Sequence, residues 1–304
     1  MPQLIECDEP RQCALEECVE ALAETPFDPA DPDNLQASAR WLRKLTNNRS
    51  FLGDFLLDQL KDQYRNPAVQ SGYGPQAIAL SGKVGGTFLR ANIWPSERDH
   101  CFQSSGAKTF VYGVPHDHNF SFLSSGYLGP GYRSDYYEYD YETVAGYEGE
   151  KVPLRFVERS ALAEGKMMLY RAHRDIHSQI PPERLSVSLN IMHIGPAQGW
   201  HDQYGFDLEK GAVTRVLSPN STEVFLRMAI ATGHDEALDL AQQFGQRHPS
   251  DRLRLASYEA RALLIDDLAE RDALWQEAEQ SGCLMLQGVA RQRRAALGHA
   301  LTPA

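Results

Sequence analysis

In Val114-Pro115-His116-Asp117-His118-Asn119-Phe120 two histidines stand two positions apart in a β-prone stretch. On an extended strand residues i and i+2 share a face, so the imidazoles of His116 and His118 converge while Asp117 points the other way. Two convergent imidazoles make a metal clamp that lacks a third ligand. Tyr170-Arg171-Ala172-His173-Arg174-Asp175-Ile176-His177 offers two histidines just ahead of a strongly alternating strand. His177 is the expected ligand; His173 is its rival, or a catalytic group that orients a ligand or shuttles a proton. Glu138 or Glu142 could add a carboxylate. Three neutral imidazoles suit iron(II), because they leave adjacent positions open for dioxygen and a bidentate substrate. Zinc, nickel, copper or manganese could use the same donors.

A His-x-His pair on one strand and a histidine on a later strand meet only if the sheet curls around them, which a small barrel does. Between Ala77 and Ile194 the chain has the texture this needs: short runs rich in Val, Tyr, Phe and Thr, separated by Gly, Pro, Ser and Asn. The expected strands are Thr87–Trp94, Thr109–Gly113, Asn119–Leu128, Asp135–Val144, Leu154–Glu158, Lys166–Tyr170 and Leu185–His193. Leu128-Gly129-Pro130-Gly131-Tyr132 reads as a hairpin turn. On Asp135–Val144 the residues Tyr136, Glu138, Asp140 and Glu142 share one face, which would favour a cationic substrate if it pointed inward.

From Pro10 to about Tyr64 apolar residues recur every three or four positions, predicting about three helices; Asp33 or Asn34 caps one, Ser50 caps the next, and that helix ends before Asn66-Pro67. After Trp200 comes a loop containing Gly205 and Gly211, and helical periodicity then runs from Ser221 or Thr222 to about Leu297. The expected fold class is therefore mainly β with flanking helices: N-terminal helices over 1–76, a small β-barrel over 77–200 and a C-terminal helical bundle over 201–304.

The 304 residues carry 41 acidic against 30 basic side chains, a net charge of -11, which disfavours nucleic acid or an anionic membrane as the main partner. No apolar run approaches the roughly 18 to 20 residues that cross a bilayer, and the first residues lack a basic, apolar leader pattern, so a cytoplasmic location is expected. Five cysteines, an odd number without Cys-x-x-Cys spacing, suit reduced thiols. Ser81-Gly82-Lys83-Val84-Gly85-Gly86 lacks the Gly-Lys-Ser/Thr order of a phosphate loop, so no nucleotide cofactor is expected.

The order His116-x-His118, a glycine-bearing turn, Gly165-Lys166-Met167, then His177 ahead of Ser186-Val187-Ser188-Leu189-Asn190 resembles the cupin superfamily, and within it the thiol dioxygenases related to cysteine dioxygenase. The resemblance spans roughly residues 35 to 195. It implies an antiparallel barrel with iron(II) on His116, His118 and His177, dioxygen as co-substrate, and Arg90 as the group that grips a substrate carboxylate. Leu123 and Met192 stand where animal members carry a cross-linked cysteine and tyrosine, and Asn190 stands where they carry a histidine. The expected activity is oxygenation of a small amino-acid-like molecule or a peptide side chain. The C-terminal helices, which have no counterpart in that family, are a candidate surface for a protein partner.

Overall fold

The computed structural model describes residues 1–65, 76–218 and 221–301. The chain divides into two compact units, Met1–Asp140 with Pro153–Gln198, and Tyr141–Val152 with Gly199–Ala304. The first holds β1 (Gln3–Leu4), α1 (Leu15–Glu24), α2 (Pro32–Asn47), α3 (Phe51–Arg65), β2 (Ala77–Ala79), β3 (Thr87–Trp94), α4 (His100–Ser105), β4 (Ser121–Leu128), β5 (Arg133–Glu138), β6 (Arg155–Ala161), β7 (Met167–Tyr170), β8 (Asp175–Ile180) and β9 (Ser186–His193). The second holds β10 (Tyr204–Asp207), β11 (Ala212–Val216), α5 (Ser221–Ala231), α6 (Asp235–Arg247), α7 (Asp251–Ala262), α8 (Leu268–Glu279) and α9 (Leu284–Leu301).

α2 starts earlier than its sequence suggests. Pro32 takes the first helical position, where a missing N–H costs nothing, and the Asp31 carboxylate caps the helix by accepting from the Asp33 N–H at 2.9 Å. The side-chain oxygen of Asn48, not Ser50, accepts from the Ser50 and Phe51 N–H groups at the start of α3. The expected end of that helix lies outside the described residues. Leu35, Ala39, Leu42 and Leu45 form the buried stripe of α2.

Two antiparallel sheets organise the first unit, a six-stranded one ordered β1-β7-β4-β9-β3-β2 and a three-stranded one ordered β6-β5-β8. Alternation along the strands of the larger sheet separates two cores. Leu89, Ala91, Leu123, Leu169, Leu189 and Ile191 face outward and pack with Cys18, Leu22, Leu42, Leu45 and Leu52 of α1–α3. Phe88, Trp94, Phe122, Met168, Tyr170 and Met192 face inward and pack with Tyr132 and Tyr136 of the smaller sheet's side. On that inner face the register sets Arg90 beside Asn190 and Asn190 beside Ser124. The two inner faces are tied by phenols: the Tyr132 and Tyr136 hydroxyls lie 2.8 and 2.9 Å from the hydroxyl of Tyr170.

The expected closed barrel is not formed among the described residues. Isolated bridges instead join each sheet to segments outside it, Tyr112 and His116 to Gln179 and His177 of β8, and Glu164 to Gly126 of β4. Leu128–Tyr132 is correspondingly not a hairpin but the passage from one sheet to the other, since β4 pairs with β7 and β9 while β5 pairs with β6 and β8. A register shift after Gly126 begins that passage, and Gly129 and Gly131 complete it with φ of +80° and +76°. A side chain at Gly131 would run into the Leu162 carbonyl.

Other strands differ too. Ala107–Phe110 is a 3-10 turn, ended by Val111 in the left-handed region, where a strand was expected. The strand expected over Asp135–Val144 ends at Glu138. β8 emerges from residues read only as the approach to β9, and the loop expected after Trp200 contains the β10–β11 hairpin.

In the second unit α7, α8 and α9 pack around Leu255, Tyr258, Trp275, Leu286 and Ala290, while α5 and α6 pack on α7 around Leu226, Ile230, Ala237, Ala241 and Ala260. Val224, Phe225 and Met228 of α5 are exposed. Among the described residues no helix is long and apolar enough to cross a membrane, and all five cysteines are free thiols.

Candidate metal centre

His177 lies in β8, paired across the ladder with Tyr136 of β5. His116 is not in a sheet strand. It lies in an extended segment whose N–H and carbonyl exchange hydrogen bonds of 3.1 and 2.9 Å with those of His177. That reciprocal bridge places the two rings side by side, with centroids 4.5 Å apart. His118, two residues on, turns its ring to the same side, and Asp117 points away, buried, to accept from the Tyr139 hydroxyl. The backbone carbonyl of His118 is held by the His173 N–H at 2.8 Å.

The result is three Nε2 atoms around one point. His177 Nε2 lies 3.0 Å from His118 Nε2 and 3.1 Å from His116 Nε2. His116 Nδ1 faces the Val114 carbonyl at 2.7 Å, so Nδ1 carries that ring's proton and Nε2 presents a lone pair. Burial, then the neighbouring imidazoles and last Arg90, hold His118 well below the ordinary histidine range; burial and His116 do the same to His177. Neutral rings with lone pairs turned toward one another repel unless a proton or a cation lies between them. A single cation would satisfy all three. Donors at about 2.1 Å from a metal stand about 3.0 Å apart at right angles and about 3.4 Å apart in a tetrahedron. The two separations from His177 put its Nε2 within reach of a cation shared with either neighbour.

Around the three rings the walls are aromatic. Phe120 and Phe122 pack on His118 at 4.8 and 5.0 Å, and Tyr170 packs on His177 at 5.2 Å. Arg90, half-buried in β3, faces the same interior, and its charge is one cause of the lowered His118.

His116, His118 and His177 are thus brought together, and His173 is not part of the trio. His173 sits in a turn with φ of +59°, where its amide supports His118. Arg171 closes this turn: its N–H and Nε reach Asp175 at 2.8 and 2.9 Å, which fixes the start of β8 and hence His177. Neither possible carboxylate ligand joins. Burial would raise the carboxyl of Glu138, but the Met1 amino group, Arg171 and Arg155 outweigh it and pull it down to about 2. Glu142 belongs to the second unit, where it lines a cavity of about 450 Å³. The acidic face expected on this strand therefore ends in ion pairs at Glu138.

Gln179 escaped the sequence reading. Two residues after His177 on β8, it turns its amide to the same side, with Nε2 3.1 Å from His177 Nε2. The i, i+2 spacing in His177-Ser178-Gln179 was the available signal.

No protein-family model matches the chain, and no curated protein matches it as a relative. Solved structures similar in part include the DMSP lyases RdDddP and RnDddQII, at 13% identity and TM-score 0.27 over 67% of this chain and 84% of that one. The DMSP lyase DddQ from Ruegeria pomeroyi gives 10% identity and TM-score 0.23 over 64% and 79%. A structure of prolyl 4-hydroxylases from Phytophthora capsici gives 11% and 0.25 over 94% and 83%. Likeness at this level does not define a shared fold, and what the site can do follows from its own geometry.

Proposed function

We propose that this chain is a cupin-type metal enzyme, a non-haem iron(II) oxygenase acting on a small amino-acid-like molecule or a peptide side chain. The observation that carries the reading is the trio of Nε2 donors, with His177 3.0 Å from His118 and 3.1 Å from His116 and the His116 tautomer fixed by the Val114 carbonyl. A set of three neutral imidazoles suits iron(II), because it leaves adjacent positions open for dioxygen and substrate. Bound there, iron(II) would supply the one-electron chemistry that lets dioxygen react with a closed-shell substrate.

The chain's own residues contribute placement. His116, His118 and His177 would hold the metal. Arg90 offers a cation to a substrate carboxylate from the inner face of β3, which supports an amino-acid-like substrate. Phe120, Phe122 and Tyr170 exclude water from the rings, and the Arg171–Asp175 clamp with the His173 amide keeps the ligand geometry rigid. The thiol dioxygenase resemblance covers the His-Asp-His pair and the third histidine; Leu123, Asn190 and Met192 depart from it.

Elemental analysis of anaerobically purified protein, beside His116→Ala and His177→Ala, tests the reading. Near-stoichiometric iron that both variants lose, with a nitrosyl-iron resonance on adding nitric oxide, is the expected result. Full zinc occupancy would replace oxygenation with hydrolytic or isomerase chemistry, and a chain that takes up no metal would overturn the proposal.

A further inference from the structure

Gln179 is 3% exposed, and its two amide ends have unlike surroundings. Nε2 lies 3.1 Å from the ring nitrogen that His177 turns into the trio, and Oε1 is buried with no hydrogen-bond partner. Its backbone is held in place, the carbonyl accepting from the Gly113 N–H at 3.0 Å. The same amide nitrogen lies 3.5 Å from His177 Nδ1, so exchanging the amide oxygen and nitrogen sets one end against both ring nitrogens of His177 and still leaves the other end without a partner. Once the His177 lone pair is given to a cation, it can no longer accept from the amide. An amide buried this deeply and left unpaired is costly, so its position calls for a partner beside the cation.

We propose that Gln179 is a positioning residue of the metal centre, whose amide donates a hydrogen bond to a small oxygen- or nitrogen-donor ligand sharing the cation with the three imidazoles. The class of ligand is a compact anion or a carboxylate, hydroxyl or amine group of a substrate. This inference rests on the trio binding a metal. It does not require that the metal be iron or that the reaction be an oxygenation.

The test uses the full chain loaded with cobalt(II), whose ligand-field absorption reports coordination directly, titrated with azide as the probe. In Gln179→Leu the cobalt stoichiometry should remain that of the wild type while the azide dissociation constant rises on the order of tenfold. Ser178→Ala, on the opposite side of β8, should leave both unchanged. If Gln179→Leu fails to fold, Gln179→Met keeps chain length and volume and should show the same weakening. Unchanged azide affinity in a folded variant would overturn the proposal. So would loss of cobalt, because Gln179 would then be needed to bind the metal itself. Failure of the wild type to bind cobalt is a separate outcome that overturns the metal reading underneath.

Discussion

On the side of the six-stranded sheet turned to α1–α3, Leu89, Ala91, Leu123, Leu189 and Ile191 are completely buried. Among the residues that alternate with them, Phe88, Phe122 and Met192 build the inner core, while Arg90, Asn92, Ser124, Ser188 and Asn190 put guanidinium, amide and hydroxyl groups into the same side. The contrast separates two tasks. Each buried leucine on the outer face contributes about 1.5 to 3 kcal/mol of burial. Polar groups on the inner face cost stability unless they are paired. One face is mainly apolar; the other mixes an aromatic core with polar groups beside three imidazoles.

The separation can be tested by substitution. Leu189→Ala on the outer face should cost about 2 to 5 kcal/mol in urea unfolding, with metal stoichiometry at saturation unchanged. His177→Ala, in β8 and packed on Tyr170 of the inner face, should do the reverse, lowering metal affinity by at least about 100-fold in competition with a chelator. The metal-free protein should then lose no more than about 1 kcal/mol. If both variants lost stability and metal together, the two faces would not be separable.

A smaller effect is expected where the sheets are joined. Tyr170→Phe removes the hydroxyl shared by Tyr132 and Tyr136 and should cost about 1 to 3 kcal/mol by leaving those buried phenols unpaired. Smallest is the ion-pair cluster at the end of β5. Glu138 has its carboxyl lowered from 4.5 to about 2, so its stabilisation is complete above pH 4.5 and is lost as the pH falls toward 2. Solvent screening keeps this under about 1 kcal/mol. Glu138→Gln should therefore lower stability at pH 7 and match the wild type near pH 2, as read by urea midpoints across that range.

The trio was legible in the sequence because it needs only two short-range regularities, i, i+2 convergence at His116 and His118 and a histidine ahead of an alternating strand. What was not legible depends on tertiary pairing. Nothing local indicates that the chain from Leu128 to Tyr132 leaves one sheet and enters another, so a closed barrel was the natural expectation. His173 could be told from His177 only by the turn that Arg171 and Asp175 close, which holds His173 as backbone support and releases His177 into β8. Gln179 was hidden because the segment before β9 was not read as a strand. Glu138 looked available because Arg155 and Arg171, which occupy it, lie 17 and 33 residues away.

Trp94 gives this arrangement an optical consequence. Its indole ring lies 4.1 Å from the ring of Tyr132, and its Nε1–H donates to Ser188 Oγ at 3.0 Å. Tyr132 bonds to Tyr170, which in turn packs on His177. An indole buried so few rings from the imidazoles has blue-shifted emission, and a paramagnetic ion bound at the trio would quench it. The protein therefore carries its own fluorophore for following occupancy of the site without a dye. Trp94→Phe is the silent control that separates this emission from that of Trp41, Trp200 and Trp275.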